Sequence, residues 1–126
     1  MEKADRATIL IIDDEAGARQ TIRRMLEYYD YKVLEGRGGM DGLDIYRAEQ
    51  SNIDLVLLDL IMPGMSGEET LEHLLSLNPQ VKVVICTGRA ILGLPRKEQY
   101  QKAVAFIKKP FTAETLLAKV RNALTV

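Results

Sequence analysis

Five short apolar runs, each ending on polar or turn-forming residues, alternate along this chain with segments whose apolar residues recur at helical spacing. Thr8-Ile9-Leu10-Ile11-Ile12 ends on Asp13-Asp14-Glu15. Tyr31-Lys32-Val33-Leu34 leads into the glycine-rich turn Gly36 to Gly39. A third run, from about Asp54 to Leu58, meets Asp59. Val81 to Cys86 ends at Thr87-Gly88, and Val104 to Ile107 ends at Lys108-Lys109-Pro110. Apolar, β-branched runs bounded by turn signals read as strands buried on both faces. The second run is the least apolar and is expected at a sheet edge.

Helices are expected between them. Ile22, Met25, Leu26 and Tyr29 fall at i, i+3, i+4 and i+7, one apolar stripe, which puts Arg19, Arg23, Arg24 and Glu27 on a solvated face. A second helix reads from Met40 to Gln50, with Leu43, Ile45 and Tyr46 inward and Ser51-Asn52 breaking it. Gly42 inside it costs up to ~1 kcal/mol relative to Ala. After Pro63-Gly64, Ser66 or Gly67 can cap a third helix, whose Glu68 and Glu69 suit the positive end of the dipole. Leu71, Leu74 and Leu75 form its buried face, and Asn78-Pro79 stops it. Gly93 and Pro95 exclude a helix through the start of the next segment; Pro95 suits a first helical position, so a short helix is expected from there to about Lys102. Thr112 caps a last helix carrying Leu116, Leu117, Val120 and Leu124.

Strand and helix alternating five times predict a parallel sheet with helices on both faces. Strand order 2-1-3-4-5 fits best, a flavodoxin-like (βα)5 doubly wound α/β fold in a single domain. It sets the Asp13-Asp14 turn beside Asp59 at the carboxyl edge of the sheet, where ligand sites of such folds gather.

Composition narrows the function classes. The chain has 126 residues, 47% hydrophobic and 28% charged, with 17 basic and 18 acidic side chains and a net charge of -1. That balance argues against a nucleic-acid or membrane surface as direct partner. No apolar run approaches the ~20 residues that cross a bilayer, and Met1 to Ala7 is charged, unlike a signal peptide. The lone Cys86 sits in an apolar run, which reads as a buried, reduced thiol and a cytoplasmic protein.

The strand ends carry the chemistry. Asp13, Asp14 and Asp59 brought together repel one another, and at least one would be pushed toward protonation unless a cation joined them. Mg²⁺ takes oxygen ligands and binds with one or two carboxylates plus a phosphate. Beside it Asp59 can act as nucleophile toward a phosphoryl group. Lys109 would offset charge on the phosphoryl oxygens, and the Thr87 hydroxyl would donate to one of them.

Asp13-Asp14 after a buried strand, the run Asp59-Leu60-Ile61-Met62-Pro63-Gly64-Met65-Ser66-Gly67, Thr87-Gly88 and Lys109-Pro110-Phe111, in this order and each at a strand end, resemble the CheY-like receiver domain of two-component response regulators. The resemblance runs from about Thr8 to Leu124. It implies one receiver domain over residues 1–126, with residues 1–7 a flexible N-terminus and no output domain in this chain. It implies Asp59 as phosphoacceptor, and Asp14, Asp59 and the Ile61 backbone carbonyl as Mg²⁺ ligands, with Asp13 acting through water; Mn²⁺ would substitute. It implies that Lys109 pairs with Asp59 at rest, that Lys109–Pro110 is cis, and that Thr87 and Phe106 are the switch pair. The phosphodonor would be a histidine kinase or a histidine phosphotransfer protein, and the switched face would comprise the fourth helix, fifth strand and fifth helix. Such a module catalyses only its own phosphorylation and dephosphorylation, and a homodimer through the same face is compatible with it. Ile61 and Arg89, two residues after Asp59 and Thr87, occupy positions that tune phosphoryl lifetime in the family. Ile61 cannot orient an attacking water, so hydrolysis is expected to be slow. Phe106 stands where Tyr is frequent, Gln101-Lys102-Ala103 stands where a Gly is usual, and Gly93 and Pro95 make the fourth helix short or irregular.

Plainer readings remain beside these. Asp13 and Asp14 can cap a helix, Lys109 can be a solvated lysine, Thr87 can be an ordinary strand-end residue and Phe106 can be core. The whole can be a pseudo-receiver that binds partners without phosphorylation. A flavin protein of this architecture would not place Asp13-Asp14-Glu15 against a phosphate, and an Asp-based phosphatase would carry a second Asp where Ile61 stands. Gly36 to Gly39 lacks the Lys-Ser/Thr of a phosphate loop, and His73 has no second ligand near it.

Overall fold

The computed structural model describes residues 6–88 and 98–126. The apolar runs form β1 (Thr8–Ile12), β2 (Lys32–Gly36), β3 (Leu55–Asp59), β4 (Val83–Thr87) and β5 (Ala105–Lys108). The segments between and after them form α1 (Ala16–Tyr28), α2 (Gly39–Glu49), α3 (Gly67–Leu77), α4 (Glu98–Gln101) and α5 (Ala113–Leu124), with a 3-10 turn at Gln50–Asn52 after α2. The strands pair in parallel in the order β2-β1-β3-β4-β5. This is the order the alternation predicts, with the least apolar strand at an edge.

Every strand places successive side chains on opposite faces, so the core has two layers. Ile9, Ile11, Leu55, Leu57, Val84 and Cys86 meet Ile22 and Leu26 of α1 and Leu116, Leu117 and Val120 of α5. Leu10, Ile12, Val56, Leu58, Val83 and Ile85 meet Leu43 and Tyr46 of α2, Leu71 and Leu74 of α3, and Tyr100 of α4. Each fully buried Leu or Ile contributes about 1.5–3 kcal/mol, and β3 and β4 carry no polar residue before their last positions. Among the described residues no helix is long and apolar enough to cross a membrane.

Local chemistry sets the helix starts. The Ser66 hydroxyl accepts from the Glu69 amide at 3.2 Å, and Thr112 accepts from Thr115 at 3.1 Å, each satisfying a free N–H of the first turn. At Gly67 a Cβ would run into the backbone of Asp59 and Leu60. Only glycine lets α3 begin directly against the strand end that carries Asp59. Gly42 has a comparable role: a Cβ there would lie 2.7 Å from Ile12 Cγ1. The residue that weakens α2 as a helix is the one that lets α2 lie close on β1.

Several boundaries differ from the sequence reading. β2 continues to Gly36, β4 includes Thr87, and Gly39 already belongs to α2. Tyr29 follows α1 and is exposed, so the stripe closes at Leu26. Arg19 is not on a solvated face; it is buried against β2 and the end of β1. Pro95 and Gly93 lie outside the described residues; α4 is described only as Glu98–Gln101, and Lys102 is not part of it. Tyr100 is buried and donates to Glu68 Oε1 of α3 at 2.5 Å, a link that no pattern of the sequence marks.

Candidate functional site

Three strands deliver the site. β1 ends one residue before Asp13, β3 ends on Asp59, and β5 ends one residue before Lys109. Because β1 and β3 are hydrogen-bonded neighbours in register, with Ile12 opposite Leu58, the residues that follow them stand side by side. One carboxylate oxygen from each of Asp13, Asp14 and Asp59 lies within 4.8 Å of the others. Asp13 is 2% and Asp59 8% exposed, whereas Asp14 is exposed. The cluster is a shallow acidic floor with one carboxylate at its rim.

Asp13 is held at both ends. Its amide donates to the Gly36 carbonyl at 3.2 Å, and its own carbonyl accepts from Arg19 Nη1 at 2.8 Å. Its Oδ1 accepts from the Glu15 amide at 2.9 Å, and its Oδ2 accepts from Lys109 Nζ at 2.8 Å. Lys109 forms an ion pair with Asp59, Nζ to Oδ2 at 3.8 Å, as the family pattern implies, while its hydrogen bond goes to Asp13. The Lys109 amide donates to the Thr87 carbonyl at 2.8 Å, tying this loop to the end of β4. The Lys109–Pro110 peptide bond is cis.

The charges do not balance. Among the described residues three carboxylates face one ammonium, and burial pushes the Asp59 pKa above its ordinary value. Lys109 pulls it down, while Asp13 and Asp14 push it further up. For Lys109 burial works against the charge, but the hydrogen bond to Asp13 and the attraction of Asp13 and Asp59 outweigh it, and its pKa stands raised. Close oxygen donors with excess negative charge suit a hard divalent cation such as Mg²⁺ or Mn²⁺. Asp13 and Asp14 are not spent on capping: the N-cap of α1 is Glu15, with no side-chain cap bond.

The remaining candidates fall around this floor. Thr87 is fully buried at the last position of β4. Phe106 is half-buried in β5, opposite Ile85, and packs on the layer that α2 and α3 cover. By strand alternation Ile85 and Thr87 share a face, so Phe106 and Thr87 lie on the same side of the sheet. Ile61 is 58% exposed, and its amide approaches Asp59 Oδ1 at 3.4 Å. Arg89 lies outside the described residues. The sequence reading missed that Arg19 reaches the Asp13 carbonyl. A signal existed, since positions 19, 22 and 26 share helical spacing and place Arg19 on the edge of the buried stripe. Cys86 is buried beside the site, and burial pushes its thiol pKa to about 12.

Comparison with known proteins gives one consistent result. The family model described as "Response regulator receiver domain" matches residues 9–121. An uncharacterized transcriptional regulatory protein of Bacillus subtilis, YkoG, is 36% identical over 122 residues, covering 95% of this chain and 52% of that protein. The chain therefore spans about half the length of that relative. A response regulator receiver domain protein from Clostridium thermocellum has a similar crystal structure, with a TM-score of 0.87, 33% identity and 94% of each chain covered. The response regulator TrrA of Thermotoga maritima, solved in complex with Mg(2+)-BeF, superposes with a TM-score of 0.82 at 26% identity, covering 93% of this chain and 98% of that one.

Proposed function

The chain belongs to the response regulator receiver domain family of two-component signalling, and from that premise we propose that Asp59 accepts a phosphoryl group from the phosphohistidine of a sensor kinase or histidine phosphotransfer protein. The observation that carries this reading is the convergence of Asp13, Asp14 and Asp59 from two neighbouring strand ends, with Lys109 from a third within 3.8 Å of Asp59.

Asp14, Asp59 and the Ile61 carbonyl would hold Mg²⁺, with Asp13 behind them. When bound, the ion supplies the positive charge that three carboxylates and an incoming phosphoryl group require. The chain's own residues do the rest. Asp59 must be ionised to attack; Lys109 favours that state and burial opposes it. An Asp59 carboxylate oxygen forms a bond to phosphorus as the phosphorus–nitrogen bond of phosphohistidine breaks, and the electron pair of that bond stays on the imidazole, which takes a proton from solvent. Lys109 then turns from Asp13 toward the phosphoryl oxygens. The Thr87 hydroxyl donates to one of them, and Phe106 moves into the space this opens on the same face of the sheet. That shift passes the signal to the face of α4, β5 and α5. Ile61, exposed and apolar, offers no group to orient water, so the aspartyl phosphate is long-lived. A reduced, buried Cys86 suits a cytoplasmic setting.

Incubation with acetyl phosphate followed by intact mass measurement tests the reading. One added phosphoryl group is expected, absent without Mg²⁺ and absent in Asp59→Asn. A folded protein that gains no mass from any of several small donors, and that shows no response to Mg²⁺, would favour phosphorylation-independent binding instead.

A further inference from the structure

Arg19 is the one arginine of α1 that is buried. Its side chain is 11% exposed, and Glu35 of β2, its partner at 3.0 Å from Nε, is 21% exposed. Arginine is seldom buried unless its donors are used, and here they point two ways. Nε binds Glu35, while Nη1 binds the carbonyl of Asp13 at 2.8 Å. Glu35 is itself fixed, because its other oxygen accepts from Arg23 Nη1 at 2.6 Å. The edge strand, α1 and the acidic turn are thereby joined through one guanidinium.

We propose that Arg19 is a positioning residue for the acidic site: clamped by Glu35, it fixes the Asp13 carbonyl and so sets where the Asp13 and Asp14 carboxylates stand relative to Asp59. The inference rests on the metal-binding reading given above. A carbonyl held from outside orients the peptide that joins the two acidic residues, and residues one step removed from a metal site typically alter affinity by about 10–100-fold when lost. The planar fork matters, since it reaches two acceptors in fixed directions; a lysine ammonium would carry the charge without that geometry.

The sign of the effect separates positioning from charge. Arg19 is a cation close to a cation site. If it acted only through its charge, its removal would make the site more negative and tighten Mg²⁺ binding. Positioning predicts the opposite.

The test is calorimetric titration with Mg²⁺ of the wild-type chain, Arg19→Met, Arg19→Lys and Asp14→Asn, with amide NMR spectra of each before metal is added. Arg19→Met is expected to bind about tenfold more weakly, with Arg19→Lys in between. In the metal-free spectra of both, the Glu15 amide, which donates to Asp13 Oδ1, is expected to shift. Equal or tighter binding by a folded Arg19→Met, or an unmoved Glu15 amide, overturns the proposal. Should Arg19→Met not fold, Arg19→Lys is judged by the same two readouts. Asp14→Asn binding as tightly as wild type would overturn the metal-site reading instead, and the metal-free Glu15 shift would still decide the role of Arg19.

Discussion

Replacing Gly42 by Ala sets two effects of known sign against each other. As a helix residue, Ala is better than Gly by about 1 kcal/mol, and from the sequence alone Gly42→Ala should stabilise α2. In the folded chain the added methyl would stand 2.6 Å from Ile12 Cδ1, 2.7 Å from Cγ1 and 3.0 Å from Cγ2. Ile12 is fully buried and β-branched, so its Cγ atoms cannot turn aside without leaving their rotamer. Overpacking of this kind costs about 1–3 kcal/mol, and three close atoms on one stiff side chain place it in the upper half of that range. The net expectation is a loss of about 1–2 kcal/mol, read as a lower urea midpoint with an unchanged slope. Thermal melts should fall by roughly 3–6 °C per kcal/mol for a domain of this size. A double-mutant cycle locates the cause. Ile12→Val removes the nearest atom and ordinarily costs about 0.5–1.5 kcal/mol. In the Gly42→Ala background it should cost at least ~0.5 kcal/mol less. Gly42→Ala as stable as wild type, or additivity of the two changes, would refute the steric reasoning. Because Ile12 directly precedes Asp13, the same strain acts on the strand end that presents the acidic turn.

Three further outcomes follow from the charges. Burial raises the Asp59 pKa in the folded chain, so ionisation of Asp59 at neutral pH works against folding. Without Mg²⁺, Asp59→Asn should melt higher than wild type at pH 7, and the gap should close as pH falls into the carboxylate range; an equal or lower melting point would contradict this. Glu35 behaves oppositely: its hydrogen bond from Arg23, more than that from Arg19, lowers its pKa, so its contribution is present at neutral pH and lost as pH falls through the folded value. Glu35→Gln should therefore flatten the decline of melting temperature as pH falls through and below the ordinary carboxylate range, and an unchanged acid limb would count against it. Burial holds the Cys86 thiol at about 12, so a thiol reagent at pH 8 should label it only after denaturant unfolds the chain; rapid labelling of the native protein would show the thiol to be accessible.

The strand ends were legible because burial and charge change abruptly there. Runs such as Leu55 to Leu58 cannot be left in water, and the Asp that ends such a run has only the sheet edge to occupy. Once alternation implied the order β2-β1-β3-β4-β5, Asp13, Asp14 and Asp59 had to converge, and Lys109 had to close the site from the fifth strand. Contacts between elements were less legible. Helical spacing sets Arg19 at the edge of the stripe of Ile22 and Leu26, but it does not record the carboxylate on another strand that lets an arginine be buried there. The cost of Gly42 was visible in the sequence, but its use was not, since that lies in the distance between α2 and Ile12. No spacing in the sequence encodes that Lys109 Nζ stands 2.8 Å from Asp13 Oδ2 and 3.8 Å from Asp59 Oδ2.

The central claim is that Asp59, among three carboxylates held within 4.8 Å, is the one that takes the phosphoryl group. Borohydride reduction of the protein after treatment with acetyl phosphate and Mg²⁺ converts an acyl phosphate to homoserine, and peptide mass spectrometry locates it. Homoserine at position 59, dependent on both donor and Mg²⁺, is the expected result. Homoserine at position 13 or 14, or none in a protein that has gained the mass of a phosphoryl group, would contradict the account.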